Sequence, residues 1–212
     1  MVKVKICGIT NWTDARDAFE AGADFLGFNF YRKSPRYIAP AAARRIVRRL
    51  PDGVSSVGVF VNEPEAETLL IAREVGLDFV QLHGDEMPNV VSRLQRTVPV
   101  IKALRVRGTL RRAELVRFKE ASGILLDGFD RKLRGGTGKR VEWKLAKPAG
   151  RSRRIFLAGG ITPENAAEAV LTAQPYAIDV CSGVELRPGK KDAGRMRALV
   201  QAVRSVRKKA KR

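Results

Sequence analysis

Eight short apolar runs, spaced along the chain and separated by longer stretches of helical period, constrain this sequence more than any other feature. The runs are Val2–Cys7, Phe25–Phe28, Val57–Val61, Phe79–Leu82, Val100–Ala103, Ile124–Leu126, Ile155–Ala158 and Ala177–Val180. Each is too short for a buried helix and reads as a strand covered on both faces. Strands that alternate with helices pair in parallel, because a parallel connection needs a crossover. Eight such units close a (β/α)₈ TIM barrel, and 212 residues lie near the lower end of the roughly 200–400 that this fold uses. A doubly wound open sheet ranks second: it needs fewer strands, and no Gly-x-Gly-x-x-Gly follows the first run.

The punctuation agrees. Thr10 or Asn11 caps a first helix that Gly22 ends. Asn62 is the expected cap of a helix ending at Gly76, and Thr162-Pro163 opens the helix that carries Val170 and Leu171. Ala39 before Pro40 is a poor cap. Met196, Leu199, Val200, Val203 and Val206 form one stripe on the last helix. The chain reads as one barrel domain over residues 1–206, followed by a basic tail, 207–212, expected to fray.

Composition excludes several classes. The chain is 44% hydrophobic and only 7% aromatic, so its core must rest on aliphatic side chains. No apolar run approaches the roughly 18 residues of a membrane span. Met1 to Ile6 is a Lys/Val alternation rather than a secretory signal, and two cysteines make no disulfide framework. The cytoplasm is therefore the expected compartment, with no membrane partner. One histidine and two cysteines argue against a metal site. The net charge of +19 is uneven. Residues 1–106 carry 15 basic and 12 acidic side chains, and residues 107–212 carry 26 and 10, which puts +16 in the second half. This favours anionic partners. No aromatic residues interleave with the basic ones, so no specific nucleic-acid binding is expected.

In a barrel of this type function sits at the C-terminal ends of the strands. Those ends carry Cys7-Gly8, His83-Gly84, Asp127, Gly159-Gly160 and Asp179-Val180-Cys181-Ser182-Gly183. Gly159, Gly160, Ser182 and Gly183, in the seventh and eighth loops, read as a phosphate site, because small residues let backbone N–H groups close on an anion. Gly135–Lys139 lacks P-loop spacing and reads as a lid. Cys7 and Asp127 form the candidate acid–base pair: a thiolate can accept a proton from carbon, and a desolvated carboxyl can give one. Arg36, stiffened by Pro35, suits a carboxylate. His83 reads either as a hydrogen-bonded structural residue at the rim or as a group that orients substrate. Alternation turns Lys5 to the same side as Cys7, and a buried ammonium needs a carboxylate, for which Asp179 is the nearest candidate.

These residues in their order resemble the phosphoribosylanthranilate isomerase family. The resemblance runs through Lys5-Ile6-Cys7-Gly8-Ile9-Thr10, Gly27-Phe28-Asn29-Phe30 with Ser34-Pro35-Arg36-Tyr37, Val57–Asn62 and Val80–Glu86. It continues through Leu126-Asp127 with Gly135–Lys139, Leu157–Ile161 and Asp179–Glu185. It implies a cofactor-free Amadori rearrangement in tryptophan biosynthesis, turning N-(5-phosphoribosyl)anthranilate into 1-(2-carboxyphenylamino)-1-deoxyribulose 5-phosphate. It further implies Cys7 as general base at C2, Asp127 as general acid at the ring oxygen, Arg36 on the anthranilate carboxylate, Asp179 near the sugar, and a monomer or homodimer. The related Amadori isomerase of histidine biosynthesis generally uses two aspartates, and Cys7 argues against it. Cys181 departs from the Ser or Asn usual in the family. Cys181 reads as a small substitute for serine; the other reading, since strands one and eight are neighbours in a closed barrel, is that oxidation joins Cys7 to Cys181 or caps Cys7 and inactivates the enzyme reversibly.

Overall fold

The computed structural model describes residues 1–106, 110, 112–128, 143 and 153–209. Strand and helix alternate as β1 (Lys3–Cys7), α1 (Trp12–Ala21), β2 (Phe25–Asn29), α2 (Pro40–Val47), β3 (Ser55–Phe60), α3 (Glu65–Val75), β4 (Phe79–Leu82), α4 (Pro88–Gln95), β5 (Val100–Val106), α5 (Arg112–Arg117), β6 (Gly123–Gly128), β7 (Ile155–Ala158), α6 (Ala166–Ala173) and β8 (Ala177–Val180). A 3₁₀ turn (Ser182–Val184), a small hairpin of β9 (Glu185–Arg187) and β10 (Lys190–Lys191), and α7 (Ala193–Lys209) complete the chain. The eight long strands pair in parallel in sequence order, and β8 pairs with β1 to close a barrel. Each expected apolar run coincides with one of them.

Alternation within the strands sorts the core into two parts. One face packs outward: Val4, Ile6, Leu26 and Phe28 meet the helical stripes of Ala15, Ala18, Ile46, Leu94, Ala169, Met196, Leu199 and Val203. The other face fills the barrel with Phe25, Val57, Ile101, Leu125, Phe156 and Ala177. The N-terminal end is closed by aromatic rings, Phe25 meeting Phe79 and Phe156 at 5.8 and 5.5 Å, with Tyr176 beside Phe156. The same inward face becomes polar toward the strands' C-terminal ends, so one end of the barrel is a packed floor and the other a reactive mouth.

Helix ends show where local signals held. Asn11 Oδ1 accepts from Asp14 N at 2.9 Å, and Gly22 ends α1 in the left-handed region. As expected, α2 starts at Pro40 with no side-chain cap from Ala39. Two expectations need correction. Asn62 does not cap α3, which starts after Pro64. Its side chain is taken by the neighbouring loop, accepting from Asp85 N at 2.7 Å. Thr162-Pro163 opens a turn rather than α6 itself, which starts three residues later behind Asn165. The Thr162 carbonyl still accepts from Ala166 N, and Asn165 bridges back to Thr162 N and Gly160 O. The α7 backbone runs through Lys209, past the expected start of the tail at 207. The expected lid, Gly135–Lys139, lies outside the described residues.

Candidate active site

Cys7 is the last residue of β1, and its side chain points into the mouth. Its register partner on β2 is Gly27. A Cβ on Gly27 would lie 2.8 Å from the Cys7 sulfur and 3.1 Å from the Lys5 ammonium, so this position must lack a side chain for both groups to fit. Lys5 lies beneath and is fully buried, and its Nζ is 2.9 Å from Asp179 Oδ1. The inward carboxylate expected for Lys5 is therefore Asp179. Burial works against the Lys5 charge, but Asp179 and Cys7 outweigh it and raise its pKa. Burial also dominates at Asp179, lifting its carboxyl to about 6 despite Lys5.

The two cysteines are neighbours and both are free. A hydrogen bond from Cys181, helped by the ammonium groups of Lys5 and Lys191 and opposed by burial, holds the Cys7 thiol well below its ordinary value. Cys181 is correspondingly pushed up, by that hydrogen bond first and then by burial. Cys181 Sγ donates toward Glu185 Oε1 at 3.9 Å, and Lys191 Nζ lies 3.7 Å from the same sulfur.

Arg36 comes from the loop after β2 and already holds a carboxylate. Its Nε and Nη2 fork onto Glu185, with Nη2 at 2.6 Å from Oε2. The same carboxylate receives Lys191 Nζ at 2.9 Å. Burial pushes the Glu185 pKa up, but these two cations outweigh it and hold the carboxyl low. Sequence reasoning assigned no role to Glu185 or Lys191. Glu185 stood in the motif after strand eight, while Lys191 lay in a basic stretch that gave no sign of burial.

Asp127 is the next-to-last residue of β6, on the inward face, in register with Arg105 on β5 and Ala158 on β7. His83 Nε2 lies 3.4 Å from Asp127 Oδ2. The other ring nitrogen, Nδ1, faces Gln81 Nε2 at 3.0 Å. Gln81 is buried on the inward face of β4, and it too was given no role by the sequence reading. In the closed ring β7 and β8 separate Asp127 from Cys7, so carboxyl and thiol face the same mouth from different sides.

The glycine turns after β7 and β8 meet. Gly159 and Gly160 have φ of 87° and 65°, in the left-handed region that glycine tolerates. A Cβ on Gly183 would lie 2.0 Å from the Ile161 carbonyl oxygen, so the two loops pack backbone against backbone. Ser182 begins the 3₁₀ turn beside them, and Arg195 Nε of α7 holds the Gly183 carbonyl at 2.9 Å. Among the described residues, no cluster of three His, Cys, Asp or Glu can hold a metal ion.

A (β/α)₈ barrel with a free cysteine beside a buried lysine, a carboxyl beside a histidine and a paired glycine cradle at its C-terminal mouth is an enzyme scaffold built for proton transfer. A model of the N-(5'-phosphoribosyl)anthranilate (PRA) isomerase family matches residues 4–202. The chain is 50% identical over 206 residues to the N-(5'-phosphoribosyl)anthranilate isomerase of Citrifermentans bemidjiense, covering 97% of this chain and 98% of that one. The crystal structure of phosphoribosyl anthranilate isomerase from Thermotoga maritima is similar with a TM-score of 0.88 at 44% identity, covering 97% of this chain and all, 100%, of that one. A phosphoribosyl anthranilate isomerase in complex with reduced 1-(o-carboxyphenylamino)-1-deoxyribulose 5-phosphate is similar with a TM-score of 0.85 at 43% identity, covering 97% and 100%. The chain belongs to the N-(5'-phosphoribosyl)anthranilate isomerase family and is an isomerase.

Proposed function

We propose that the chain converts N-(5'-phosphoribosyl)anthranilate into 1-(2-carboxyphenylamino)-1-deoxyribulose 5-phosphate, a step of tryptophan biosynthesis, with Cys7 as general base and Asp127 as general acid. Asp127 protonates the furanose ring oxygen as the bond from C1 to that oxygen breaks. The nitrogen lone pair forms the C1=N bond of a Schiff base. Cys7 then accepts the proton from C2, and the C–H electron pair moves toward the iminium to give an enolamine that tautomerises to the ketone. The geometry that supports this reading is a thiol and a carboxyl facing one mouth from different strands, with the Lys5 ammonium beside the thiol, where it lowers the Cys7 pKa.

The remaining residues take binding roles in this reading. Arg36, anchored through Nε and Nη2 by Glu185, offers its other edge to the anthranilate carboxylate. His83 and Asp179 orient the sugar. Gly159, Gly160, Gly183 and the Ser182 hydroxyl cradle the phosphate. Residues 1–206 form the catalytic unit, acting in the cytoplasm as a monomer or homodimer on a small anionic substrate. Among the described residues no helix is long and apolar enough to cross a membrane.

Turnover of N-(5'-phosphoribosyl)anthranilate, followed by its fluorescence, tests the assignment. Cys7→Ser and Asp127→Asn should keep the far-UV circular dichroism of the wild type and lose at least about 100-fold in kcat. Either variant retaining a tenth of the activity would remove that residue from its role.

A further inference from the structure

We propose that Lys191 is a positioning residue for Cys7: its buried ammonium fixes the proton of the cysteine pair on Cys181 and leaves Cys7 as the thiolate. The inference rests on Cys7 being the general base and adds a third party to that chemistry.

Lys191 belongs to β10, in the hairpin that follows the 3₁₀ turn after β8. Its side chain is 0% exposed. Its backbone is pinned on α1, with Lys191 N donating to Asp14 Oδ2 at 2.8 Å, and Lys190 Nζ bonds the other oxygen of the same carboxylate. From this anchor Nζ reaches Glu185 Oε1 at 2.9 Å, the Cys181 carbonyl at 3.2 Å and the Cys181 sulfur at 3.7 Å. The approach depends on Gly8, the residue after Cys7. A Cβ there would lie 3.0 Å from the Cys181 sulfur and 3.4 Å from Lys191 Nζ.

A simple ion pair does not explain the arrangement. Glu185 is already held by a forked Arg36, and a buried carboxylate needs one cation, not two. Arg36 and Lys191 against Glu185 leave one positive charge in excess. Among the described residues the neighbouring pairs balance: Lys5 of β1 with Asp179 of β8, and Lys190 with Asp14. The cluster is therefore neutral only when one of the two thiols is ionised, and uncompensated buried charge is costly. Cys7 is the one that ionises because the Lys5 ammonium also lies beside its sulfur, both within about 3 Å of a Cβ on Gly27, while Cys181 keeps a proton to donate toward Glu185 Oε1 at 3.9 Å. Lys191 provides the surplus charge, and Glu185 sets how much of it remains.

The test is the pH dependence of Cys7 alkylation by iodoacetamide, separated from Cys181 by peptide mass spectrometry, in wild type, Lys191→Gln and Glu185→Gln. The wild-type midpoint should lie below the roughly 8.5 of a free cysteine. Lys191→Gln should raise it by about one pH unit or more, which slows alkylation about tenfold at pH values below both midpoints. The acid limb of kcat/KM should move up by the same amount. Glu185→Gln should move both the other way. A midpoint unmoved in Lys191→Gln, or raised in Glu185→Gln, overturns the proposal. Should Lys191→Gln fail to fold, the direction of Glu185→Gln decides alone. Full turnover in Cys7→Ser would instead overturn the assignment of Cys7 as base, and the alkylation midpoints would still judge Lys191.

Discussion

Lys5 Nζ lies 2.9 Å from Asp179 Oδ1 inside the barrel, with the two side chains only 0% and 8% exposed. The pair bridges neighbouring strands β1 and β8 directly beneath Cys7. Removing one partner leaves the other as an unpaired buried charge, a loss of about 3–5 kcal/mol. Lys5→Met and Asp179→Asn should each lower the unfolding free energy by about that amount in equilibrium urea denaturation. The double variant Lys5→Met with Asp179→Leu should regain at least about half of the loss, since apolar packing often replaces such pairs. Single losses below about 1 kcal/mol would show that water reaches the pair.

Gly27 makes the room in which Cys7 and Lys5 sit. In Gly27→Ala the added methyl would start 2.8 Å from the Cys7 sulfur. Overpacking of this kind costs about 1–3 kcal/mol. The sulfur must shift to relieve it, so kcat should fall at least about tenfold, because small misplacements of a reacting group are costly. Gly183→Ala should act on the opposite parameter. Its methyl would meet the Ile161 carbonyl in the loop pair assigned to phosphate, so KM should rise more than kcat falls. Steady-state kinetics of the two variants separates the effects.

Stability should fall in mild acid. Lys102 lies 2.7 Å from Glu86, and Arg36 and Lys191 flank Glu185. Burial raises both carboxyl pKa values, but the cations outweigh it, so each ends below the ordinary value of 4.5. A carboxyl with a lower pKa folded than unfolded adds stability above the unfolded value and loses it as pH drops through the folded one. Asp179 has the opposite sign: lifted to about 6, it favours folding below the unfolded value of 3.8 and loses that contribution as pH rises through 6. Urea midpoints measured from pH 7 to pH 3 should therefore fall below about pH 4.5. Glu86→Gln should lose stability at pH 7 and flatten the slope. An unchanged slope would show that Glu86 does not contribute to it.

The contact between Cys7 and Cys181 predicts a redox response. Hydrogen peroxide should oxidise the Cys7 thiolate to a sulfenic acid with release of hydroxide. The Cys181 thiol then attacks that sulfur and expels water, leaving a disulfide. Activity should disappear, the intact mass should fall by two hydrogens, and dithiothreitol should restore both. In Cys181→Ser, scored against its own untreated activity, longer exposure should carry Cys7 on to a sulfinic acid that thiols do not reverse. Full wild-type activity after peroxide without reductant would contradict the prediction.

Particular residues show how much of this was legible. The eight runs read directly as strands because both faces of a barrel strand are buried, so most positions in each run are apolar. Lys5 stood out as an inward charge by its two-residue spacing from Cys7, and its need for a carboxylate followed from burial alone. Asn62 was misread because its side chain serves a distant loop, which local capping rules do not register. Arg36 was legible as a carboxylate binder, but not that Glu185 would occupy its fork. The two lie 149 residues apart in the chain. Gln81 looked like one more polar residue in a strand until the closed barrel set it against His83.

The chain's periodicity by itself determined that it would be a parallel barrel, and alternation determined which residues could reach its mouth. A pattern of that kind is local, since burial at each position is set by the strand or helix on which it lies. Only the tertiary structure decided the charge balance around the thiol. Closing β8 onto β1 brings Cys181 to Cys7, and the β9–β10 hairpin carries Lys191 over them. Electrostatic effects depend on distance and burial, not on order in the chain, so the ionisation of Cys7 could be read only once those groups had been placed together.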